Sequence, residues 1–466
     1  MKKALTISRL LKQQEVSRSE ILKMLWNMSI PAILSQITFI AMQYIDAAMV
    51  GSLGADASAA VGLVSSAIWL LFGITMTSTV GFSILVGQKI GAEEYRKARE
   101  LRHQAIMVNI FIAIIITSIG IAISDSVPLL MGGDDTIAST SSAYFLILMT
   151  SIPFFLMRVL SSSLVQATGN MKIPSLISAS TCILDILFNF LLILPSRQYE
   201  IFGFVVLIPG AGLGVKGAAL GTVVAEIITS SIIMYYLLLK SGLRIEHDEK
   251  ISLFSKDLLT ALKLGIPVGL EHAVITAAMV ATTKIIAPLG TVSLAANIFA
   301  IEAEGLCYMP GYGIGAAMVP IISQCKGANR YDLVRRCANY GITLGAMIMG
   351  ICGIIMFFIC PVIFMLFTPS TEVRELGVQI LRIEMLAEPM FGVAIVTASI
   401  LRGVGDTLIP SILNVASIWG IRISLCMLLV PHLGLIGAWI AMCIELNCRG
   451  MLMLIRFFLA PWKKGF

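Results

Sequence analysis

Long apolar stretches alternate with short charged segments along the whole chain. Each stretch is about as long as the roughly 20 residues that a helix needs to cross a bilayer, and the pattern recurs twelve times. The predicted spans are 26–50, 59–84, 104–124, 138–162, 173–194, 214–239, 261–287, 293–322, 338–365, 378–400, 409–430 and 435–458. The pattern predicts an all-α membrane protein of twelve transmembrane helices.

Composition supports the same class of protein. Of the 466 residues, 58% are hydrophobic and only 13% are charged, and the mean hydropathy is +0.93. A soluble globule could not bury this much apolar surface, so the solvent of the folded chain is expected to be lipid.

The formal charge of +6 alone could indicate a nucleic-acid partner. However, 27 of the 33 lysines and arginines lie in the N-terminal segment, in alternate loops and the span ends beside them, and in the C-terminal part of the chain, as the positive-inside rule predicts for the cytoplasmic side. The six that remain for the outer half are Arg197, Lys216, Lys284, Arg374, Arg382 and Arg422. We therefore expect a multi-pass membrane protein with both termini in the cytoplasm, and no nucleic-acid partner.

The cysteines and the N-terminus carry no further signal. The nine cysteines lie mostly in apolar spans without a CxxC pair, which argues against a disulfide framework or a zinc site. About 25 mixed polar residues precede the first span, and that span is too long for a cleavable signal.

An internal repeat is the strongest signal in the sequence. Residues of the two halves match at one constant offset of 236, from the first helix of each half to the fifth. Matching pairs include Pro31 with Pro267, Gln88 with Gln324, Gly91 with Gly327, Gly169 with Gly405 and Pro174 with Pro410. Later matches, such as Gly214 with Gly434, have an offset of 220, which places a 16-residue insertion near 196–211 in an outer loop.

The repeat predicts two six-helix lobes. Because each half has an even number of spans, both enter the membrane in the same direction and should be related by a pseudo-two-fold axis along the membrane normal. The predicted parts are a cytoplasmic N-terminal segment (1–25), an N-lobe (26–240), a cytoplasmic linker (241–257), a C-lobe (258–459) and a cytoplasmic tail (460–466). This two-lobe plan favours a secondary transporter over a channel, a scaffold or a membrane enzyme.

Polar side chains within the first half are functional candidates, because an ionisable group at mid-bilayer costs several kcal/mol unless it faces a cavity or a partner. Asp46 shares a sector of the first helix with Gln36 and Gln43, although it could also reach water at the outer end. Thr181, Asp185 and Asn189 repeat every four residues along one face of the fifth helix. Their oxygens could bind a proton, Na⁺ or a cationic substrate, or could form an interhelical hydrogen bond.

The second half contains more glutamates, some of which must be structural. Glu302 and Glu304 are about 200° apart around a helix, so at most one faces a central cavity. Arg422 lies mid-span and needs an acidic partner. We assign Gln36, Gln43, Thr181, Glu271 and Glu302 to the substrate cavity. Asp46 and Asp185 have Thr282 and Ile421 at the repeat offset, which indicates that ion coupling lies mainly in the first lobe.

Several segments resemble the multidrug and toxic compound extrusion (MATE) family, in the order and spacing of that family. They are QYIDAAMVGSLGADASAAVGL (43–63), GFSILVGQKIGA (81–92), LGIPVGLE (264–271), IEAEGLCYMPGYGIGAAM (301–318), ISQCKGA (322–328), LRGVGDTLIPS (401–411), WGIRI (419–423) and RFFLAPWKK (456–464). The resemblance implies an antiporter of the MOP superfamily that expels bulky, often cationic organic compounds in exchange for H⁺ or Na⁺.

The resemblance also implies a cation-coupling site. Asp46 falls on the acidic position of the family's first helix and Thr222 on a threonine of its sixth. In the fifth helix the family's usual order is Asn, three residues, then Asp, whereas here Asp185 precedes Asn189. We take Asp46, Asp185, Asn189 and Thr222 as the coupling residues, with Na⁺ at Asp46, Asp185 and Asn189 as the one metal ion considered.

The resulting prediction is a secondary active multidrug efflux transporter that works by alternating access. It is not an enzyme and needs no cofactor, since no nucleophile, metal or cofactor motif is clustered in the sequence. We expect a monomer whose partners are membrane lipid and small organic substrates. One alternative is a lipid-linked precursor flippase of the same superfamily, which a strongly basic central cavity would favour; the scarcity of Lys and Arg in the spans counts against it. A non-transport membrane protein is a second alternative.

Overall fold

The chain folds almost entirely into helices. The computed structural model describes residues 7–201, 204–246 and 255–459, so the predicted tail 460–466 and the linker residues 247–254 lie outside the described residues. The helices are α1 (Ile7–Leu11), α2 (Arg18–Gly51), α3 (Ala55–Gly91), α4 (Tyr95–Ile123), α5 (Ser126–Leu130), α6 (Asp135–Ala167), α7 (Lys172–Ile193), α8 (Val215–Tyr235), α9 (Lys256–Ile286), α10 (Thr291–Gly327), α11 (Tyr331–Phe367), α12 (Thr371–Met385), α13 (Glu388–Gly403), α14 (Leu408–Ser417) and α15 (Ser424–Leu459). Two π-helical segments, Tyr236–Lys240 and Ile418–Ile423, extend α8 and join α14 to α15.

The described helices make twelve membrane crossings. Nine helices are long and apolar enough to cross alone, and α12 with α13 forms a tenth span that is bent by 55°. The 37-residue α3 adds another. The last crossing comes from residues 408–459, which are counted once among the nine. These 52 helical residues would be about 78 Å long if straight, which is more than twice the roughly 30 Å thickness of a bilayer core. Their backbone breaks at Gly434 (φ 59°, ψ −141°), and the chain crosses again.

The two-lobe, twelve-helix fold predicted from the repeat is confirmed. Unusual backbone conformations recur in pairs at the repeat offsets. Positive φ angles occur at Gly54 and Gly290, at Gly169 and Gly405, and at Glu93 and Asn329, each 236 residues apart. Gly214 (φ 56°) and Gly434 (φ 59°) are 220 apart. The repeat therefore preserves the turns between helices as well as the helices.

The N-terminal segment is bound to the second lobe. Helix α2 begins at Arg18, eight residues before the predicted span, because Ser17 and Glu20 form a reciprocal capping box. Before it, the backbone carbonyls of Leu11 and Gln13 accept hydrogen bonds from the Arg330 guanidinium, at 3.2 and 2.7 Å. The start of the chain is thus anchored to the loop between α10 and α11.

The predicted insertion near 196–211 forms a β-hairpin, which is the one pair of strands in the described residues. Strand β1 (Pro195–Ile201) pairs antiparallel with β2 (Phe204–Ala211), with an irregularity between Pro195 and Arg197. The hairpin lies between α7 and α8 and accounts for the change of offset from 236 to 220.

The two lobes touch closely near one membrane face. We call it the terminal face, because it carries the loops 92–94 and 328–330 and the described ends of the chain. Gln88 Nε2 donates to the carbonyl of Gly403 (3.4 Å), and Gln324 Nε2 donates to that of Ala167 (2.6 Å). Both donors and both acceptors are 236 residues apart. The lobes therefore exchange the same hydrogen bond across the pseudo-two-fold axis.

Glycines bring the backbones of the two lobes together at this face. A Cβ on Gly265 of α9 would lie 1.6 Å from the Thr77 carbonyl oxygen of α3, and one on Gly81 would lie 1.9 Å from that of Ala261. Only glycine permits such a crossing without separating the helices.

Replacing Gly265 by alanine should therefore destabilise this arrangement. Alanine stabilises a helix interior by about 1 kcal/mol over glycine, but steric overlap at a backbone contact costs about 1 to 3 kcal/mol. The matched control is Gly62→Ala in α3, where a Cβ would have no atom within 4 Å. Thermal unfolding of the purified variants should show a lower melting temperature for Gly265→Ala and an equal or higher one for Gly62→Ala. A melting temperature of Gly265→Ala equal to that of Gly62→Ala would contradict the close crossing of α3 and α9.

Candidate functional site

Two carboxyl groups meet inside the first lobe. Asp46 is on α2 and is half-buried, whereas Asp185 on α7 is fully buried. The amide of Asn189 joins them, because its Nδ2 donates to Asp46 Oδ1 (2.8 Å) and to Asp185 Oδ2 (3.0 Å). The two carboxyl groups are also within hydrogen-bonding reach of each other.

The local sequence explains how this pair is assembled. Asp185 and Asn189 are four residues apart and lie on one face of α7. Helix α8 approaches that face at Gly221, where a Cβ would lie 2.1 Å from Asn189 Oδ1. The absence of a side chain at 221 therefore makes room for the bridging amide.

Two oxygens at this pair have no partner. Asp185 Oδ1 and Asn189 Oδ1 are buried and make no hydrogen bond within the described part of the chain. Both are hard oxygen atoms of the kind that bind Na⁺, and the carboxylate oxygen can also carry a proton. Two carboxylates this close and this far from water cannot both stay charged without a cation between them. The use of this pair as a cation-coupling site stays a prediction.

The two predicted threonines lie beside the pair with their hydroxyls bonded to their own helices. Thr181 Oγ1 donates to the carbonyl of Ile177 (2.9 Å), and Thr222 Oγ1 donates to that of Ala218 (3.2 Å). Thr222 is also within hydrogen-bonding reach of Asp185. A hydroxyl that donates to its helix still has lone pairs to offer to a cation.

The predicted cavity residues Gln36, Gln43 and Glu302 lie along the boundary between the lobes. Both glutamines are half-buried on α2, and Glu302 is exposed on α10. Tyr44 joins these helices, since its hydroxyl donates to the backbone carbonyl of Glu302 (2.5 Å). The assignment of the three residues to a substrate cavity stays a prediction.

Glu271, the remaining predicted cavity residue, has both carboxylate oxygens occupied. Arg402 Nη2 donates to both at 2.8 Å, Ser411 Oγ donates at 2.6 Å, and Asn414 Nδ2 donates at 2.6 Å. The side chain is buried and joins α9, α13 and α14. Its contacts are those of an ion pair within the second lobe, and its role as a cavity residue also stays a prediction.

The acidic partner that Arg422 requires is Glu445. Arg422 and Arg449 each make two hydrogen bonds to this carboxylate, with distances between 2.7 and 3.1 Å. Glu384 and Glu388 differ from it, because both are fully buried and none of their carboxylate oxygens has a partner among the described residues.

An ion pair that was not predicted from the sequence lies close to the first-lobe site. Arg158 on α6 binds Glu226 on α8 through Nε (2.6 Å) and Nη2 (2.9 Å). Glu226 is one turn beyond Thr222 and acts electrostatically on Asp185. The four-residue spacing of Thr222 and Glu226 was a signal for a shared face, whereas the partner on another helix was not visible from spacing.

The fold and these sites define a multi-pass membrane transporter of two repeated lobes. A family model described as MatE matches residues 31–191 and 267–428, one match in each repeat. The chain belongs to the MatE family, the MATE family of the sequence analysis. Its members are transporters and not enzymes.

Known proteins are similar over nearly the whole chain. The probable multidrug resistance protein NorM of Thermotoga maritima is 23% identical over 447 residues, which cover 96% of this chain and 94% of that protein. The probable multidrug resistance protein YoeA of Bacillus subtilis is 25% identical over 442 residues, 93% of each chain. A MOP superfamily transporter from Pyrococcus furiosus has the same fold, with a TM-score of 0.86 at 19% identity over 100% of this chain and 98% of that one.

The Glu271 ion pair gives a test of structure within the second lobe. Arg402→Gln leaves a buried carboxylate without its counter-charge, which costs about 3 to 5 kcal/mol. The double variant Arg402→Gln with Glu271→Gln removes that charge and should regain part of the loss. We expect the order of melting temperatures to be unmodified protein, double variant, Arg402→Gln.

An exposed pair serves as the control for this test. Arg96 pairs with Glu100 at 3.7 Å, with 59% of the arginine side chain exposed, so Arg96→Gln should change little. A double variant less stable than Arg402→Gln alone would refute the structural role of Glu271.

Proposed function

We propose that this protein is an antiporter that exports bulky organic compounds, often cationic, in exchange for H⁺ or Na⁺. The observation that carries the proposal is the first-lobe pair, in which one amide bridges two carboxyl groups inside an apolar lobe. A cation that enters this pair removes the repulsion between the carboxylates, and this supplies a binding free energy that can drive a second process.

The proposed coupling is competition for the same negative charge. A carboxylate can neutralise a substrate cation or a coupling ion, but not both well. Entry of H⁺ or Na⁺ at Asp46 and Asp185 would change the packing of α2 against α7 and displace the substrate. Because each ligand shifts the balance between two conformations, export of one is tied to import of the other.

The proposal includes alternating access and an orientation. By the positive-inside rule the terminal face is cytoplasmic, in a bacterial inner membrane. The close crossing of α3 and α9 at that face supports a conformation open to the opposite side. The working unit is proposed to be a monomer in contact with lipid and small organic substrates, with no cofactor beyond the coupling ion.

Transport by proteoliposomes tests this proposal. A pH gradient and a Na⁺ gradient are imposed separately, and export of a fluorescent organic cation is recorded. Asp185→Asn should reduce ion-driven export to the level of liposomes without protein, since the amide cannot exchange a proton or neutralise Na⁺. Asp56→Asn, at an exposed position in the first turn of α3, is the matched control and should leave export unchanged. Undiminished export by Asp185→Asn would refute the assignment.

A second variant tests the bridging amide without altering either acid. Gly221→Ala places a methyl group against Asn189 Oδ1 and should displace the amide from its two carboxylates. We expect most of the ion-driven export to be lost while the amount of folded protein in the membrane stays the same, with Gly62→Ala as the control. Normal export by Gly221→Ala would show that the bridge is not needed.

A further inference from the structure

The second lobe contains a partly open cavity that the first-lobe site does not account for. Its volume is about 230 Å³, and it lies between α9, α10, the π-helical segment Ile418–Ile423 and α15. Its lining includes the polar and aromatic residues Glu304, Tyr308, Tyr312, Arg422, Trp439 and Arg449.

The repeat places this cavity at the counterpart of the first-lobe site. Asp46 corresponds to Thr282 at the offset of 236, and Thr222 and Glu226 correspond to Met442 and Leu446 at the offset of 220. All three counterparts line the cavity. The counterparts of Asp185 and Asn189, Ile421 and Leu425, are not in its lining, so the cavity overlaps the counterpart of the first-lobe site in part.

One side of the cavity carries a carboxylate without a direct partner, on which Arg422 and Arg449 act only electrostatically. Glu304 is 7% exposed, and its carboxylate has no hydrogen bond or ion pair with any described residue. Tyr308 and Tyr312 follow it at four-residue steps along α10, and within the described ranges neither hydroxyl has a partner. A buried carboxylate that faces a cavity without a partner is a binding group for a cation.

The opposite wall carries an excess of positive charge. Arg422 and Arg449 share the single carboxylate of Glu445, to which each donates through Nε and Nη2. The Nη1 group of each arginine makes no hydrogen bond to a described residue, and both side chains line the cavity with 18% and 11% exposure. The π-helical turn that contains Arg422 sets the direction of its side chain. These two guanidinium groups can donate hydrogen bonds to one carboxylate of a ligand.

Aromatic rings occupy the space between the charges. The Tyr308 ring packs edge-on against Phe391, with centroids 5.8 Å apart, and the guanidinium of Arg449 lies 5.9 Å from the Phe391 centroid. Trp439 is fixed by a hydrogen bond from its indole N–H to Asn297 Oδ1 (3.0 Å). Such walls favour a flat aromatic body.

We propose that this second-lobe cavity binds a small amphoteric aromatic molecule. Its ammonium group contacts Glu304, its carboxylate contacts Arg422 and Arg449, and its ring lies against Tyr308, Phe391 and Trp439. A molecule with one charge leaves the other wall unpaired and binds more weakly. Binding itself is independent of ion coupling; that the bound molecule is also exported rests on the proposed antiport.

Three compounds with one indole ring test the charge requirement. Tryptophan carries both charges, tryptamine only the ammonium group, and indole-3-propionate only the carboxylate. Isothermal titration calorimetry on the purified full-length protein should show tryptophan binding at least about tenfold more tightly than either analogue, the loss expected for one charged hydrogen bond. Absence of binding by all three compounds, equal affinities, or tightest binding by a single-charge analogue would overturn the proposal.

Variants of two glutamates test the site. Glu304→Gln should weaken tryptophan binding about tenfold and abolish its advantage over indole-3-propionate. Glu375→Gln, at an exposed position on α12 outside the cavity, is the control and should bind tryptophan normally. Unchanged binding by Glu304→Gln would refute the site. The comparison of the three compounds on the unmodified protein decides the question even if Glu304→Gln does not fold.

A last arm separates this inference from the proposed antiport. Asp185→Asn should keep tryptophan binding while it loses ion-driven export of the fluorescent cation. Loss of export with retained binding supports both sites. If the unmodified protein exports the fluorescent cation but does not bind tryptophan, the proposed ligand of the second-lobe cavity is refuted and the proposed antiport is not.

Discussion

In lipid, a charge must find its partner within the protein, and this constraint organises the interior. Most buried charges obey it through ion pairs: Arg158 with Glu226 and Arg402 with Glu271 between helices, and Arg422 and Arg449 with Glu445. These pairs fix helices within a lobe. Interior carboxyl groups outside these pairs, at Asp46, Asp185, Glu304, Glu384 and Glu388, have no direct counter-charge among the described residues.

The two lobes share a backbone arrangement but differ in the polar side chains at equivalent interior positions. Turns and helix crossings recur at the repeat offset, as the equivalent bonds of Gln88 and Gln324 show. Side chains at equivalent interior positions differ, since the counterpart of Asp46 is Thr282 and that of Glu226 is Leu446. A symmetric backbone with asymmetric polar groups is what the two proposals require, in which one lobe exchanges an ion and the other accepts a different ligand.

Sequence patterns predicted the features that depend on spacing along one helix. The twelve spans, the repeat and the shared face of Asp185 and Asn189 follow from periodicity, and family resemblance supplied Thr222. Contacts between helices were not accessible in this way. The 200° between Glu302 and Glu304 separates their directions, but packing decides that Glu304 lines the second-lobe cavity. The space that Gly221 leaves for Asn189, and the hairpin in the insertion, likewise depend on how neighbouring segments meet.

Two helix irregularities distinguish the second lobe from the first. Pro153 lies within the continuous helix α6, whereas its equivalent Pro389 follows the 55° bend between α12 and α13. Glu384 and Glu388 flank that bend and are buried without a partner in the described residues. The π-helical turn at Ile418–Ile423 adds a second irregularity and carries Arg422. A bend and a widened turn move side chains out of regular helical register, so charged groups that regular helices would direct into neighbouring side chains can surround a cavity. The acid pair of the first lobe, by contrast, is on α2 and α7, which have no bend or π-helical turn at Asp46, Asp185 or Asn189 and so hold the two carboxyl groups and the amide at fixed distances.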